Sequence, residues 1–254
     1  MGASEERMID ATTLEEPLEQ YLRRFAVGFS SPAGRGGQGT GISATEGGAR
    51  TLRIRGLQRR DHVLMGLDTL VQMSVEGPLG DFAFAFNRQA NAIVEGSVGD
   101  GCGEGMISGS VRVRGRAGRG VGCSMSGGTL AVYGDSGPYC GAAMRGGELF
   151  VRGDVGPAAG SRALWGTIVI GGDAAEGLGD LMRGATIFIR GQCARLGQGV
   201  CQAELRERER LRLGLLLINA GIRGDVADFR RIVSEVSLER ERNRKRGEID
   251  PSWR

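Results

Sequence analysis

Few residues in this sequence have the types and spacing that catalysis needs, and the single histidine, His62, is the first candidate. Its neighbours Arg59, Arg60 and Asp61 are typical of a solvated loop. A hydrolytic triad holds a histidine between a nucleophile and a carboxylate, and the residues around His62 do not predict a Ser-His-Asp or Cys-His arrangement. We therefore predict that the chain carries no catalytic residue.

The cysteines are the next candidates, as nucleophiles or metal ligands. No two of them stand in a Cys-x-x-Cys pair, the spacing typical of zinc and iron–sulfur sites. The acidic, polar N-terminal sequence is unlike a secretory signal peptide, so we expect a cytoplasmic protein whose thiols are reduced. We predict small buried thiols, and neither a metal nor a cofactor on this chain. The five cysteines are Cys102, Cys123, Cys140, Cys193 and Cys201.

A glycine-rich string, GRGGQG from Gly34 to Gly39, has the G-x-G-x-x-G spacing of a dinucleotide-binding loop. Phosphate binding there requires a strand before the string and a helix after it, because the helix N-terminus faces the pyrophosphate. Ser30-Ser31-Pro32 precedes the string and GISATEGG follows it, and neither sequence predicts the required element. We therefore interpret the string as a loop.

Three aspartates, Asp135, Asp154 and Asp173, share a constant 19-residue spacing, and each directly follows a glycine. If the chain between them forms one turn of a repeating structure, their carboxylates stack at the spacing of hydrogen-bonded strands. Arg116 stands in the same column. Aligned like charges are unfavourable unless they are solvated or matched by cations. A turn residue is the ordinary interpretation, while a site for a partner's arginines or a weak metal site stays open.

The aspartates belong to a repeat that contains most of the chain's 46 glycines. Average glycine usage is about 7%, which would give far fewer in a chain of this length. In seven consecutive units a β-branched apolar residue stands two positions before a glycine, with a strict 19-residue period and no insertion. We predict that these glycines are corners with no room for a side chain. They are Gly77, Gly96, Gly115, Gly134, Gly153, Gly172 and Gly191.

Each unit ends in a short predicted strand whose alternate residues share one face. In one unit Leu130 and Val132 would face inward. The residues between such positions would face outward, and several of them are large and apolar, such as Val169 and Phe188. We therefore predict that a partner covers part of the outer face. The candidate partner-facing residues are Tyr133, Phe150, Asp135, Asp154 and Asp173.

A 19-residue unit suits one turn of a β-solenoid, in which stacked coils bury apolar columns that a single coil would leave exposed. A left-handed solenoid needs coil lengths that are multiples of its hexapeptide, so the period favours the right-handed form. We predict an all-β fold, a right-handed parallel β-helix of about seven 19-residue coils over residues 51–200. Leu52–Gly56 repeats the strand pattern at a 21-residue distance before Gly77 and is predicted to be an irregular first coil.

Helical extensions are predicted on both sides of the coils. Residues 1–50 are expected to contain a helix over Thr13–Ala26 and the Gly-rich loop, with the helix covering an end of the solenoid or docking on a partner. Residues 201–254 are expected to contain a helix from Cys201 to Asn219 that ends at Gly221, a second helix over Val226–Val236, and a charged tail. The tail has too few apolar residues for a core, so disorder or an arm on another chain is expected.

Charge and hydropathy exclude two classes of partner. The net charge is only +3, which does not indicate a nucleic-acid-binding protein. The sequence lacks an apolar run of the length that spans a membrane. The segment ELRERERLRLGLLLINAG carries an Arg/Glu face beside Leu211, Leu215, Leu216 and Ile218, and its acidic residues favour packing on protein over a membrane surface.

The repeat, interleaved with M-x-G-G and I-x-V-x-G sequences, resembles the GXGXG domain, the right-handed β-helix at the C-terminus of the large subunit of glutamate synthase. The resemblance covers roughly Gly66 to Ala220. The sequence LGLLLINAGI after the last coil is similar to the ending of GXGXG subunits that are separate chains. The repeat is specific for the domain and less specific for the enzyme to which it belongs.

The resemblance implies a non-catalytic structural subunit of a multi-subunit, FMN-dependent enzyme of the glutamate synthase type. N-methylglutamate synthase, which converts glutamate and methylamine to N-methylglutamate and ammonia, is the first candidate. The implied partners are a glutaminase-like (class II amidotransferase-like) subunit and an FMN-binding glutamate synthase-like subunit that carries FMN and an iron–sulfur cluster. The family's N-terminal nucleophilic cysteine has no counterpart in the MGAS sequence at residues 1–4, so no catalytic residue is expected to carry over.

Two alternatives stay open. A related β-helix forms one of the subunits of formylmethanofuran dehydrogenase and of similar formyltransferase–hydrolase complexes. A free solenoid could also assemble end to end into a scaffold, although the helices predicted at both ends count against such assembly. Neither a nucleic acid nor a membrane is expected as a partner.

Overall fold

The computed structural model of the chain describes residues 7–18, 20–22, 51–221 and 224–246. The chain forms a parallel β-solenoid, which confirms the predicted all-β fold with helical extensions, while the handedness stays a prediction. The strands are β1 (Arg7–Asp10), β2 (Thr51–Arg55), β3 (Gln72–Glu76), β4 (Asn91–Glu95), β5 (Ser110–Val113), β6 (Thr129–Val132), β7 (Arg145–Val151), β8 (Trp165–Ile170), β9 (Ala174–Leu178), β10 (Thr186–Ile189), β11 (Cys193–Leu196), β12 (Val200–Ala203) and β13 (Arg230–Ser234). The helices that follow the coils are α1 (Glu207–Ala220), a 3₁₀ turn (Val226–Asp228) and α2 (Glu235–Arg246).

One eleven-stranded sheet forms the main side of the solenoid, with β1 to β8 in chain order followed by β10, β13 and β12. Val94 pairs with Val113, and Val113 pairs with Val132, so the repeating unit is a 19-residue coil. Leu52 on β2 pairs with Met73 on β3, a longer 21-residue step, which confirms the irregular first coil. Because the register is constant, residues of the same type stack in columns along the solenoid.

The second side of each coil is narrow. Isolated parallel bridges join Val98, Ala117, Ser136, Val155 and Ala174 in consecutive coils. The last coils widen this side into a two-stranded sheet of β9 and β11. In most coils the second side is therefore a single bridge to the next coil, and it forms a sheet only at the end of the solenoid.

The third side of each coil is a ribbon of turns in which every second residue has a positive φ. Gly101, Gly103 and Gly105 have φ angles of 65°, 66° and 62°. The Glu104 N–H donates to the Gly101 carbonyl at 3.0 Å, as in a turn that places its third residue in the left-handed region. Glycine meets this requirement without strain. One coil instead carries three phenylalanines at φ of 57°, namely Phe82, Phe84 and Phe86.

Apolar side chains fill the interior, and Val113 and Val132 are at most 1% exposed. Cys102 and Cys140 lie in the interior column of the third side and are fully buried. Burial raises the pKa of both thiols to about 12, so both stay protonated at neutral pH. The prediction of buried thiols is thus confirmed for these two and wrong for three partly exposed cysteines. Those three are Cys123, Cys193 and Cys201.

Six of the seven predicted corner glycines are needed because neighbouring coils approach each other closely. Only Gly77 among them has a positive φ. A Cβ on Gly153 would overlap Asp135 Oδ1 and would lie 2.8 Å from the Gly134 carbonyl oxygen. A Cβ on Gly134 would lie 2.8 Å from the Gly115 carbonyl oxygen. Space between coils therefore fixes glycine at six positions of this column, and the left-handed backbone fixes it at Gly77, where a Cβ would meet nothing closer than 3.9 Å.

The N-terminal end of the solenoid is covered by β1 and by a short helical segment. β1 was not predicted, and it pairs in parallel with β2. Residues 18 and 20–22 are helical, and Leu18 and Leu22 join the core, which confirms that this segment covers an end. The predicted helix over residues 13–26 is wrong for residues 13–17, which are not helical, and its residues 19 and 23–26 lie outside the described part of the chain.

The C-terminal end is a pair of antiparallel strands, which the sequence analysis wrongly predicted as helix. β13 pairs antiparallel with β10, and β12 pairs antiparallel with β13. The helix predicted from Cys201 begins only at Glu207, and it ends as predicted at Gly221, whose φ is 66°. The second predicted helix is interrupted by β13, which lies between the 3₁₀ turn and α2, and α2 extends into the charged tail as far as Arg246. The GRGGQG string and residues 247–254 lie outside the described part of the chain.

Helix α1 covers the outer face of the main sheet. Leu213, Leu216 and Leu217 pack on a row of outward side chains from β6, β7, β8 and β10. A helix of this length spans about 21 Å, enough to cross four strands that together are about 14 Å wide. The prediction that a partner covers these apolar residues is therefore wrong, because the chain covers them itself. They are Ala131, Phe150, Val169 and Phe188.

A cluster of two arginines and two glutamates joins α1 and α2 to β13. It is called the ion cluster from here on. Arg231 on β13 is 3% exposed and lies 2.6 Å from Glu241 on α2 and 2.9 Å from Glu209 on α1. Arg206 lies 2.5 Å from Glu209 and 3.3 Å from Glu241. A buried charge without its partner is costly, so the cluster fixes the positions of both helices on the solenoid.

Replacement of Gly153 by alanine is expected to destabilise the fold by about 1–3 kcal/mol, because the new Cβ must displace a neighbouring coil. Gly214→Ala in α1 is the matched control, since its Cβ would meet nothing closer than Val226 at 3.7 Å and alanine favours helix by about 1 kcal/mol. Urea unfolding of both variants measures the difference. Equal stability of the two variants would contradict the close approach of the coils.

The ion cluster is expected to make stability depend on pH. Burial raises the pKa of Glu209, but the hydrogen bonds from Arg206 and the charges of Arg231 and Arg206 outweigh this and hold it below its ordinary value. A carboxyl group with a lowered folded pKa stabilises the fold above its unfolded pKa, and this contribution is lost as pH falls through the folded pKa.

We expect Glu209→Gln to lower the free energy of unfolding by about 2 kcal/mol at neutral pH. The difference from the wild type should begin to shrink below about pH 4, where the unfolded chain protonates this glutamate, and should vanish as pH falls through the lowered folded pKa. Glu207→Gln, on the exposed side of the same helix turn, is the control. A difference that stays constant from neutral to acid pH would show that the charge of Glu209 has no part in the effect.

Candidate functional site

The structure brings the three predicted aspartates together as a ladder between coils. Asp135 Oδ1 accepts the Asp154 N–H at 3.1 Å, and Asp154 Oδ1 accepts the Asp173 N–H at 2.7 Å. Asp173 Oδ1 accepts the N–H of Gln192 at 2.6 Å. Each carboxylate thus satisfies a backbone donor one coil further on, and the ladder holds the corner of the solenoid together.

A second ladder of the same kind was missed in the sequence. Asp61 Oδ1 accepts the Asp81 N–H at 2.8 Å, Asp81 Oδ1 accepts the Asp100 N–H at 2.8 Å, and Asp100 Oδ1 accepts the Arg119 N–H at 2.7 Å. The signal was a Gly-Asp pair in consecutive coils, at Gly80 and Gly99. Gly80 and Gly99 have no side chain, and this leaves room for the carboxylates of Asp61 and Asp81 in the preceding coils.

Arg116 of the same chain supplies a positive charge beside the first ladder. Arg116 Nε lies 3.3 Å from Asp135 Oδ2 at the exposed corner. Within the described ranges, no group of three or more His, Cys, Asp or Glu side chains is placed to hold a metal ion. The ladder's geometry is therefore that of hydrogen bonds between coils.

The two aromatic residues predicted to face a partner lie in different surroundings. Phe150 is 1% exposed beneath α1, so it is not available to a partner. Tyr133 is half-buried at the edge of the same cluster, with the Arg114 guanidinium 5.4 Å from its ring centroid. Only Tyr133 of this pair keeps a surface that a second protein could contact.

His62, the only histidine, lies against an aromatic ring. It stacks on Phe82 with ring centroids 5.1 Å apart, and both residues have positive φ angles. This contact stabilises the first turn ribbon. Among the described residues, no nucleophile or carboxylate is hydrogen-bonded to the His62 ring.

The outward side of α1 carries an apolar stripe, defined by Leu211, Leu215 and Ile218. These side chains are 67%, 64% and 77% exposed, while Leu213, Leu216 and Leu217 on the opposite side are buried. The sequence analysis placed Leu216 on the same face as the stripe, but the helix turns it toward the solenoid. A helix that is apolar on both sides is typical of one packed between two proteins or layers.

The aspartate ladder is expected to contribute to stability. Asp154→Ala removes the acceptor of the Asp173 N–H and should lower the free energy of unfolding by about 1 kcal/mol. Asp154→Asn keeps an acceptor oxygen and removes one of the stacked negative charges, so it should be at least as stable as the wild type. Urea unfolding at low salt measures both. If the alanine variant matched the asparagine variant, the ladder would not hold the coils.

No described helix is long and apolar enough to cross a membrane. Comparison with models of known protein families gives no match. Comparison with curated proteins gives no significant similarity. The repeat, the aspartate ladders and the surface of α1 are therefore the features of this chain that bear on its function.

Proposed function

We propose that this chain is a non-catalytic β-solenoid subunit of a multi-subunit, FMN-dependent enzyme of the glutamate synthase type, in particular N-methylglutamate synthase. Its role is to hold a glutaminase-like subunit and an FMN-binding synthase subunit in fixed relative positions. The observation that carries the proposal is the apolar stripe of α1, three large aliphatic side chains that are each at least 64% exposed. The resemblance of the repeat to the GXGXG domain supplies the identity of the partners.

The chemistry of the described residues supports a scaffold. The aspartates that stand in repeated columns accept backbone hydrogen bonds, and the glycines make room between coils. The most buried thiols have a pKa raised by burial to about 12. In this proposal the partner subunit supplies FMN and the iron–sulfur cluster, and the reactive amine is kept between the partner subunits.

End-to-end assembly of free solenoids is less well supported than a mixed complex. The first coil is covered by β1 and by Leu18 and Leu22. The last parallel strand of the main sheet, β10, is paired with the antiparallel strand β13. Stacking of a second solenoid requires an open parallel edge, so the covered ends favour contacts through the sides of the coils.

The test is purification of the tagged chain from its native cell, followed by assay of the complex. We expect a flavin-containing chain and a glutaminase-like chain to copurify, and the complex to form N-methylglutamate from glutamate and methylamine. Leu215→Glu in the apolar stripe should reduce the recovered flavin at least about tenfold, because a charge would be buried in the interface. Leu70→Glu is the control, since Leu70 is 74% exposed and lies outside α1.

Two outcomes would contradict the proposal. A chain recovered alone and without flavin would exclude the FMN-dependent complex. A complex that binds flavin but turns over glutamine and 2-oxoglutarate, and not methylamine, would replace N-methylglutamate synthase by glutamate synthase. Circular dichroism of Leu215→Glu shows whether the coils are intact, so that loss of the partner is distinguished from unfolding.

A further inference from the structure

A cleft of about 990 Å³ lies between α2 and the corner of the last coils. Its apolar surface comes from three elements that are far apart in the chain. Trp165 at the start of β8 is 65% exposed, Leu181 is 46% exposed and Val236 on α2 is 59% exposed. Exposed aromatic and aliphatic side chains that converge on one concavity are typical of a binding site.

The rim of this cleft is positively charged. Arg183 and Arg244 line it and are exposed. Glu241 is the only acidic residue among the described residues that line it, and its carboxylate is paired with Arg231 at 2.6 Å and with Arg206. The remaining charge favours a ligand with carboxylates.

The walls of the cleft are held in place. Ser237 Oγ on α2 donates to the Arg183 carbonyl oxygen at 2.9 Å, and Ser234 Oγ also donates to that oxygen. The ion cluster joins the next turn of α2 to β13 through Arg231 and Glu241. A preformed concavity loses little entropy when a ligand binds.

We propose that this cleft, defined by Trp165, Leu181 and Val236 with Arg183 and Arg244 at its rim, binds an acidic peptide segment of a partner protein. A large aliphatic side chain of the segment packs beside Trp165, and flanking carboxylates pair with the rim arginines. The inference rests on the proposed function only in requiring that a partner chain exists. It does not depend on which enzyme the partner belongs to.

Other ligands fit these observations less well. A bilayer presents a flat surface, whereas the apolar side chains here surround a concavity. Single-stranded nucleic acid is bound by several aromatic rings in series, and Trp165 is the only aromatic side chain among the described lining residues. An acidic peptide with aliphatic side chains matches both the shape and the charge.

The test uses the full chain carrying Trp253→Phe, so that Trp165 is its only tryptophan. A short synthetic peptide of alternating glutamate and leucine residues is titrated, and the emission of Trp165 is recorded. We expect saturable binding that weakens as salt is raised, and no binding of the matching lysine and leucine peptide. Equal binding of the two peptides, or no binding of the acidic one, would overturn the proposal.

Variants locate the site. With the acidic peptide labelled by fluorescein and followed by anisotropy, Trp165→Ala should weaken binding about tenfold. Arg183→Gln and Arg244→Gln should each weaken it about threefold, as expected for exposed charge pairs. Arg88→Gln and Ile107→Ala are the controls, because these residues occupy the column of Leu164 and Arg183 in earlier coils. An unchanged affinity in Trp165→Ala would place the peptide elsewhere and overturn the proposal.

Two further measurements decide between occupants. Residues 248–253 of this chain are themselves acidic and include Ile249 and Trp253, so a chain ending at Arg246 is compared with the full chain. If the truncation raises peptide affinity about tenfold or more, the occupant is the chain's own segment and the partner inference is wrong. Binding of anionic phosphatidylserine vesicles with loss in Trp165→Ala, but no binding of the peptide, would replace the peptide by a membrane surface. Failure of the peptide titration leaves the apolar stripe and its copurification test unaffected.

Discussion

Close approach of one coil to the next is the constraint on which the rest of this molecule depends. At the corner that follows each main-sheet strand, the backbones are so near that a Cβ on Gly153 would lie 2.8 Å from the Gly134 carbonyl oxygen. The same proximity lets Asp135 Oδ1 reach the Asp154 N–H of the next coil. A residue that keeps the coils apart would remove both the ladder hydrogen bond and the parallel pairing of the strands. The strict 19-residue period is thus a consequence of packing at a corner.

The surfaces that carry the functional proposals are added to this stack by the segment after the coils. α1 lies on outward side chains of four neighbouring strands, and α2 forms one wall of the arginine-lined cleft. Both helices depend on the ion cluster around Arg231, which is 3% exposed. The stripe and the cleft are therefore held at fixed positions on one solenoid.

The fold could be predicted because the repeat shows the same requirement seven times. One glycine in a loop has many explanations, but Gly96, Gly115 and Gly134 at a constant step have few. Glycine is required for two reasons, a positive φ as at Gly103 and a close approach of coils as at Gly153. The sequence could not distinguish them, because both select the same residue type. It also did not reveal that Phe150 is covered by α1, because that contact joins residues far apart in the chain.

The C-terminal region was harder to predict because it occurs only once. β12 and β13 are strands that exist through pairing with β10 and with each other. Gln202 and Ala203 of β12 and the arginines of β13 are residue types that favour helices. Arg231 and Glu209, which hold this region together, look like surface residues until the ion cluster brings them together. Tertiary contacts outweighed local preference here.

The length of α1 limits the number of coils that can lie beneath it. Repeat proteins commonly gain or lose whole units, because each unit contacts only its neighbours. A 19-residue unit removed from the region of β3 to β5 would shorten the rod and leave α1 on the same four strands. Removal of the unit that contains Phe150 would leave one turn of α1 beyond its supporting row and would change the angle at which the helix lies. The coils under α1 are thus fixed in number by the helix, which places no such limit on the number of earlier coils.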